Sequence, residues 1–230
     1  MKHFFYALTL SLFVFTACQS SKTDSQATSQ PKKTNPMELT EFKTIHLTEP
    51  DTVGGVALLQ AMKNRKSDRE FKSDNLSLEH LSGILWAANG VNRPNGKRTV
   101  PSALGLYPLK TYAVLSNGIY LYDPAKHELQ PVVEGDYRSL AGLQPFVETA
   151  PLNLVFVADY NVYKERNIPA EKYLYLASLD AGHCTQNVYL YCASENMKAV
   201  VRAGAKEKEL LALLGLDDNN QFIVAQTIGY

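Results

Sequence analysis

The sequence predicts a single α+β domain, and three observations carry that prediction. Two apolar runs, Thr111 to Ser116 and Ile119 to Tyr122, flank Asn117-Gly118, the strongest short-range signal for an antiparallel hairpin. Leu152 to Ala158 is a continuous apolar run, which reads as a central strand. Helical periodicities lie before, between and after these strands, so helices and strands are interspersed. The chain has 230 residues, 45% of them hydrophobic, enough for one sizeable core.

The N-terminus stands apart from that domain. Lys2 and His3 precede the apolar run Phe4 to Phe15, which is too short to span a bilayer as a stable helix. The run ends in Phe15-Thr16-Ala17-Cys18, which resembles the lipobox of bacterial lipoproteins. Residues 1–18 are therefore expected to be a signal peptide and Cys18 the lipidated residue; a cleaved signal with an incidental cysteine is the alternative. Acyl chains would hold the exported protein on the surface of a bacterial membrane, on the periplasmic side or in the cell envelope. Residues 19–51 are rich in Ser, Thr, Gln, Lys and Pro, which reads as a flexible tether, with the globular part, 52–230, starting near Thr52.

The elements follow in order. Val53 to Arg65 carries Val56, Leu59 and Met62 at helical spacing. Ser77 reads as the N-cap of a second helix with Leu78, Leu81, Leu85 and Trp86 as its buried stripe, ended by Asn89-Gly90 and followed by a polar loop, Asn92 to Pro101. After the hairpin and the central strand, Tyr173 to Ala193 reads as a long helix, apolar over most of its circumference, that must be buried in a core or against a second subunit. Lys206 to Leu214 is a shorter helix closed by Gly215, and Phe222 to Ile228 a last strand. Cys184 and Cys192, eight residues apart on one helix, would sit roughly 12 Å apart along its axis. A disulfide needs Cα atoms about 4.4–6.8 Å apart, so no pair is expected.

Lys plus Arg equals Asp plus Glu, 23 each, so no overall field draws the chain to nucleic acid or to an anionic surface. Any anion site must be local, and four segments are candidates. Asn64 to Phe71 gathers Arg65, Lys66, Ser67 and Arg69, which could clamp a phosphate; it also reads as an ordinary helix end whose cations offset the dipole. Pro101 to Pro108 brackets small residues between prolines, a rigid turn whose backbone could approach a flat ligand, or a plain connection. Asp180 to Asn187 thins one side of the long helix and places Gln186 and Asn187, polar groups in need of partners, among apolar neighbours. Val201 to Ala205 carries Gly204, whose backbone could pass over a ligand face.

Taken in order, these segments resemble the nitroreductase family, and most closely its SagB-like branch, which includes azoline oxidases. The resemblance spans roughly Val53 to Gly229. It rests on Arg65-x-Ser67-x-Arg69, the Leu85 to Ala88 run, Arg98-Thr99-x-Pro101-Ser102-Ala103, Tyr107-Pro108, and Gly182-His183-x-x-Gln186-Asn187. It implies an antiparallel-rich sheet flanked by helices, in an intertwined homodimer with FMN at each interface. Arg65, Lys66, Ser67 and Arg69 would then hold the flavin's phosphate, ribityl chain and N1/O2 edge. Pro101, Ser102, Ala103 and Gly105 would line the ring from the partner chain, and Gly204 would lie near N5. The helix bearing Gln186 and Asn187 would form the dimer core.

Three features depart from the branch. Leu104 stands where it usually has Gly, a basic residue in a C-terminal tail is not seen before Tyr230, and the Lys–Tyr base of azoline oxidases matches only Lys172-Tyr173, which also reads as an ordinary helix start. Gly-x-Gly-x-x-Gly, a phosphate loop and Gly-x-Ser-x-Gly are absent, and His46, His80, His127, His183 and the cysteines lack zinc spacing, so no metal is expected.

The expected function is an FMN-dependent oxidoreductase that moves a hydride or electrons between a donor and a small organic acceptor. The donor is NAD(P)H or, given export, another reductant such as a quinol or a reduced partner. The competing expectation is a non-catalytic FMN carrier or a flavin-free dimeric interaction module.

Overall fold

A computed structural model describes Met1 and residues 35–230. Cys18, the signal peptide and most of the expected tether lie outside the described residues. The strands are β1 (Ile45–His46), β2 (Leu109–Leu115), β3 (Gly118–Asp123), β4 (Glu128–Glu134), β5 (Leu152–Asp159), β6 (Lys198–Arg202) and β7 (Asn220–Gly229). They form one sheet in the order β1-β4-β3-β2-β5-β7-β6, antiparallel at every pairing. The helices are α1 (Leu58–Asn64), α2 (Leu78–Asn89), α3 (Asn161–Lys164), α4 (Tyr173–Ser194) and α5 (Glu207–Leu213). This is the expected α+β, nitroreductase-like architecture.

The expected central strand is β5, hydrogen-bonded on one side to β2 and on the other to β7. Its side chains alternate between two cores, which is why its sequence is apolar throughout. Leu152, Leu154, Phe156 and Ala158 join Leu81, Ile84, Leu85, Ala177, Ala181, Cys184 and Val188 of α2 and α4 on one face. Val155 and Val157 join Leu210, Phe222, Ala141 and Val147 on the other. The hairpin is present one residue out of place: Leu115 pairs with Gly118, so the loop is Ser116-Asn117. Glycine is required at 118 by close approach, since a Cβ there would meet the Phe42 ring and lie 2.9 Å from the Val133 carbonyl.

Two expectations need correction. The tether does not reach residue 51: Ile45–His46 pairs with β4, and Met37, Leu39, Phe42, Ile45 and Leu47 pack on the core, so the ordered body begins well before Thr52. Helix α1 is shorter than Val53 to Arg65, and its apolar stripe is not buried within the chain. Only Ala61 is covered, while Val56, Leu59 and Met62 are exposed. Helix α4 has the expected length; between Tyr173 and Cys192 its buried face is mostly small residues (Ala177, Ala181, Cys184, Thr185, Val188) with Asp180 among them, while Leu174, Tyr175 and Leu179 are exposed on the single chain. The other expected ends hold. Ser77 caps α2 by accepting from the His80 amide at 3.1 Å, and Gly215, at φ +65°, closes α5.

Candidate functional site

Helix α4 organises everything the sequence singled out, and it does so on two flanks. On one flank Tyr189 is the hub. Its hydroxyl lies 2.9 Å from Ser67 Oγ and accepts from the Val201 amide at 2.8 Å, while the Arg65 guanidinium sits over its ring, 5.3 Å from the centroid. The Asp68 amide donates to the Ala199 carbonyl and Lys198 Nζ to the Glu70 carbonyl, which lays the cationic segment along β6. Residues 65–69 and the β6 end leading to Gly204 are thereby brought together. Tyr189 was missed in the sequence, because a tyrosine among the apolar positions of a long helix carries no signal of its own.

Lys66 pairs with Asp68 at 3.1 Å, whereas among the described residues Arg65 and Arg69 have no carboxylate in range. Beside this segment a cavity of about 260 Å³ is lined by Asn64, Lys66, Asp68, Tyr189, Cys192 and Asn196, among others.

The other flank carries Asp180 and Asn187. Asp180 Oδ2 accepts from Ser102 Oγ at 2.6 Å, and Asn187 Nδ2 donates to the Ala87 carbonyl at 3.1 Å. Thr99 Oγ1 donates to the Trp86 carbonyl at 3.0 Å, so Thr99 and Asn187 bind the Trp86 and Ala87 carbonyls in the last turn of α2. Arg98 donates to Asn89 Oδ1 at 2.8 Å and stacks on Tyr107 at 4.6 Å from the centroid. Much of the Arg98-to-Ala103 motif therefore fixes the base of the turn that follows.

In that turn Leu104 (φ 54°), Gly105 (φ 68°) and Tyr107 (φ 50°) all have left-handed backbone. Such a conformation costs a non-glycine residue of order 1 kcal/mol. Leu104 is 77% exposed, so no burial of its side chain offsets the strain.

The two flanks face different ways. Positions 180 and 189 are nine residues apart, about 14 Å along the axis and about half a turn around it. Between them α4 presents Tyr175, Leu179, Gly182 and Gln186 at i+4, i+3, i+4 spacing on an exposed stripe. A Cβ at Gly182 would meet no heavy atom within 4 Å.

The nitroreductase family model matches residues 62–230. The chain belongs to the nitroreductase family. A nitroreductase-like protein of Methanocaldococcus jannaschii is 32% identical over 189 residues, covering 76% of this chain and 92% of its own. A crystal structure of a nitroreductase-like protein from Ralstonia eutropha is similar at 39% identity with a TM-score of 0.77, covering 85% of this chain and 92% of that one. The NADPH:FMN oxidoreductase of Vibrio harveyi, solved with NAD+, shares the fold at 19% identity, with a TM-score of 0.55 over 75% of this chain and 68% of that one. Nitroreductases are generally FMN-dependent oxidoreductases, and this chain is an oxidoreductase of that family.

The remaining predicted positions of this nitroreductase fall as follows. Gly204 lies beneath Leu143, whose Cδ1 would be 3.1 Å from an added Cβ. Two residues before it, Arg202 is 6% exposed and donates to Thr227 Oγ1 (3.0 Å), the Ala141 carbonyl (2.6 Å) and Asn153 Oδ1 (3.1 Å). Burial lowers its pKa to about 10. Lys172 is exposed at the start of α4, and Tyr173 is buried, stacked on Tyr163 at 5.2 Å and tilted against Tyr160 at 5.1 Å. Tyr173 is 16 residues from Tyr189, about 24 Å along α4, so these residues do not meet the cationic segment of their own chain.

Cys184 and Cys192 are buried and unpaired, and burial pushes the Cys184 thiol up to about 12 and the Cys192 thiol further. Among the described residues no cluster could hold a metal, and no helix is long and apolar enough to cross a membrane.

The donor set suits FMN. Two guanidiniums without carboxylate partners among the described residues, a hydroxyl and an exposed ammonium suit a phosphate and a carbonyl edge, and a half-buried turn of small residues suits a flat ring.

Proposed function

We propose that FMN binds where two copies of this nitroreductase meet, the cationic segment coming from one copy and the Pro101 to Gly105 turn from the other. The observation that carries this reading is the placement of those two segments on opposite flanks of α4, which leaves each chain with half a site. The open stripe Tyr175–Leu179–Gly182–Gln186 and the exposed Val56, Leu59 and Met62 supply apolar surface for pairing, with Gly182 admitting a close approach. Nitroreductases are generally dimeric, which agrees.

When bound, FMN supplies the hydride and electron chemistry between a donor and a small organic acceptor. Arg65 and Arg69 hold the phosphate and the N1/O2 edge, where positive charge favours the anionic reduced state. Lys66 adds a point charge, and Ser67, fixed by Tyr189, orients the ribityl chain. Pro101, Ser102, Ala103 and Gly105 cover the ring, and Gly204 leaves room near N5. The order of motifs supports placement in the SagB-like branch. Lys172 and Tyr173 enter the chemistry only as contributions to a partner's site.

We further propose that Cys18 anchors the protein to the outside of a bacterial inner membrane or to the envelope, on the strength of Phe15-Thr16-Ala17-Cys18. NAD(P)H is then not the physiological donor; rapid NADPH turnover at low micromolar KM by a cytoplasmic protein would defeat that part. A second reading, a flavin-free interaction module, is favoured by the left-handed Leu104 in the ring-facing turn. The visible spectrum of the purified protein decides between them. Absorbance near about 450 nm with one flavin per subunit supports the oxidoreductase; a colourless protein that ignores added FMN leaves the module.

A further inference from the structure

We propose that Asp180 is the positioning residue of the ring-facing turn, its buried carboxylate holding residues 102–107 in a conformation they would otherwise leave. The consequence for flavin binding rests on the reading just given; the geometry of the turn does not. Asp180 is 4% exposed and, among the described residues, pairs with no Lys or Arg. A carboxylate in that position is costly to bury, so its retention needs a reason beyond packing.

Its hydrogen bonds supply one. Ser102 Oγ donates to Oδ2 at 2.6 Å, the short length of a charge-assisted bond. Burial raises the pKa of Asp180, while Ser102, the nearby Ala103 amide and His183 favour its ionised form. The same Ser102 Oγ accepts from the Tyr107 amide at 2.9 Å. The Gly105 amide closes onto the Ser102 carbonyl at 2.9 Å and the Leu106 amide onto Ala103 at 3.1 Å. A relay from carboxylate to hydroxyl to amide thus ties both ends of the turn to one atom of a 22-residue helix. Inside that ring lie Leu104 and Tyr107, the two L-residues forced to positive φ. Strained backbone of this kind persists only where its surroundings over-determine it, and Asp180 is the fixed point on the rigid element.

The experiment compares the full chain with D180N, S102A and D180N/L104G. It measures FMN dissociation constants by fluorescence quenching, amide exchange across residues 103–107 in the flavin-free protein, and thermal unfolding. Asparagine keeps the volume but offers Ser102 Oγ either a weaker, uncharged acceptor or a second donor. We expect D180N to unfold at nearly the wild-type temperature, with exchange across 103–107 about tenfold faster and FMN affinity about tenfold weaker. S102A should reproduce that pattern. L104G should recover much of the lost affinity, because a glycine at 104 no longer needs to be held; a residue that merely packs would show no such rescue.

Unchanged exchange in D180N and S102A overturns the proposal; faster exchange with unchanged FMN affinity in these variants, where the wild type binds FMN, overturns its consequence for the flavin site. If the wild type binds none, the flavin reading fails while the exchange comparison still decides the role of Asp180. If D180N does not fold, S102A carries the same test without touching the helix.

Discussion

The two flanks of α4 hold their segments by different physics. On the Tyr189 flank the cationic segment is exposed, with Lys66 paired to a neighbour two residues away and Ser67 fixed by one hydroxyl. On the Asp180 flank the turn is strained, clamped by a buried carboxylate and built on the sealed C-terminal end of α2. On the proposed reading, the first flank would supply charge, whose placement tolerates motion because Coulomb attraction has no sharp geometry. The second would supply shape, which must be held in place to stack on a ring. A site divided in this way would be complete only when the two kinds of half meet, because in one chain they lie on opposite flanks of α4.

The largest expected effect comes from removing the charge. R65A/R69A should weaken FMN binding by about two to four orders of magnitude, two charge-assisted interactions at roughly 1.5–3 kcal/mol each, with little change in unfolding temperature. Fluorescence titration checks this, and a loss under about fivefold would mean the phosphate lies elsewhere.

Breaking the contact between halves should come next. L179D places a charge on the exposed stripe and should turn the protein monomeric at micromolar concentration, with FMN affinity falling in step, as read by sedimentation. A monomer that still binds FMN tightly would place the whole site in one chain.

The turn itself is a smaller lever. Leu104→Gly removes strain of about 1 kcal/mol but adds chain entropy of about half to all of that, so unfolding should shift upward by only a degree or two.

The smallest effect is a chemical silence. With Cys184 pushed up to about 12 and Cys192 higher still, the buried thiolate fraction at pH 8 is minute. A thiol reagent should find both only on unfolding.

Much of the fold was legible because it follows from local patterns: the hairpin, the apolar run of β5, the cap at Ser77 and the length of α4. The hairpin loop was misplaced by one residue, since Gly118 is demanded by the Phe42 ring, a contact 76 positions distant that no local rule can see. The start of the ordered body was missed for a similar reason. Residues 37–47 are only partly apolar and owe their order to pairing with β4 and packing on a core made by later residues.

Periodicity gave α1 its helical spacing and α4 its apolar circumference, but not which positions the chain itself covers. In α4 the interior takes mostly small residues, while Leu174 and Leu179 are left outside. Of the site, the cations and the turn stood out as residue types. Tyr189 and Asp180 acquire their roles only from what the fold lays beside them, so Tyr189 drew no notice and Asp180 only a place in a segment.

Subunit complementation tests the central claim most directly. R65A/R69A protein and S102A/D180N protein, each deficient in FMN binding, are mixed, allowed to exchange subunits and titrated with FMN. If each site draws its charge from one chain and its turn from the other, a mixed dimer contains one site with every defect and one with none. Wild-type affinity should then return in one site per mixed dimer, about one FMN for every four chains at random pairing. No recovery, with subunit exchange verified, would mean that each chain builds its site alone, and the account would be contradicted.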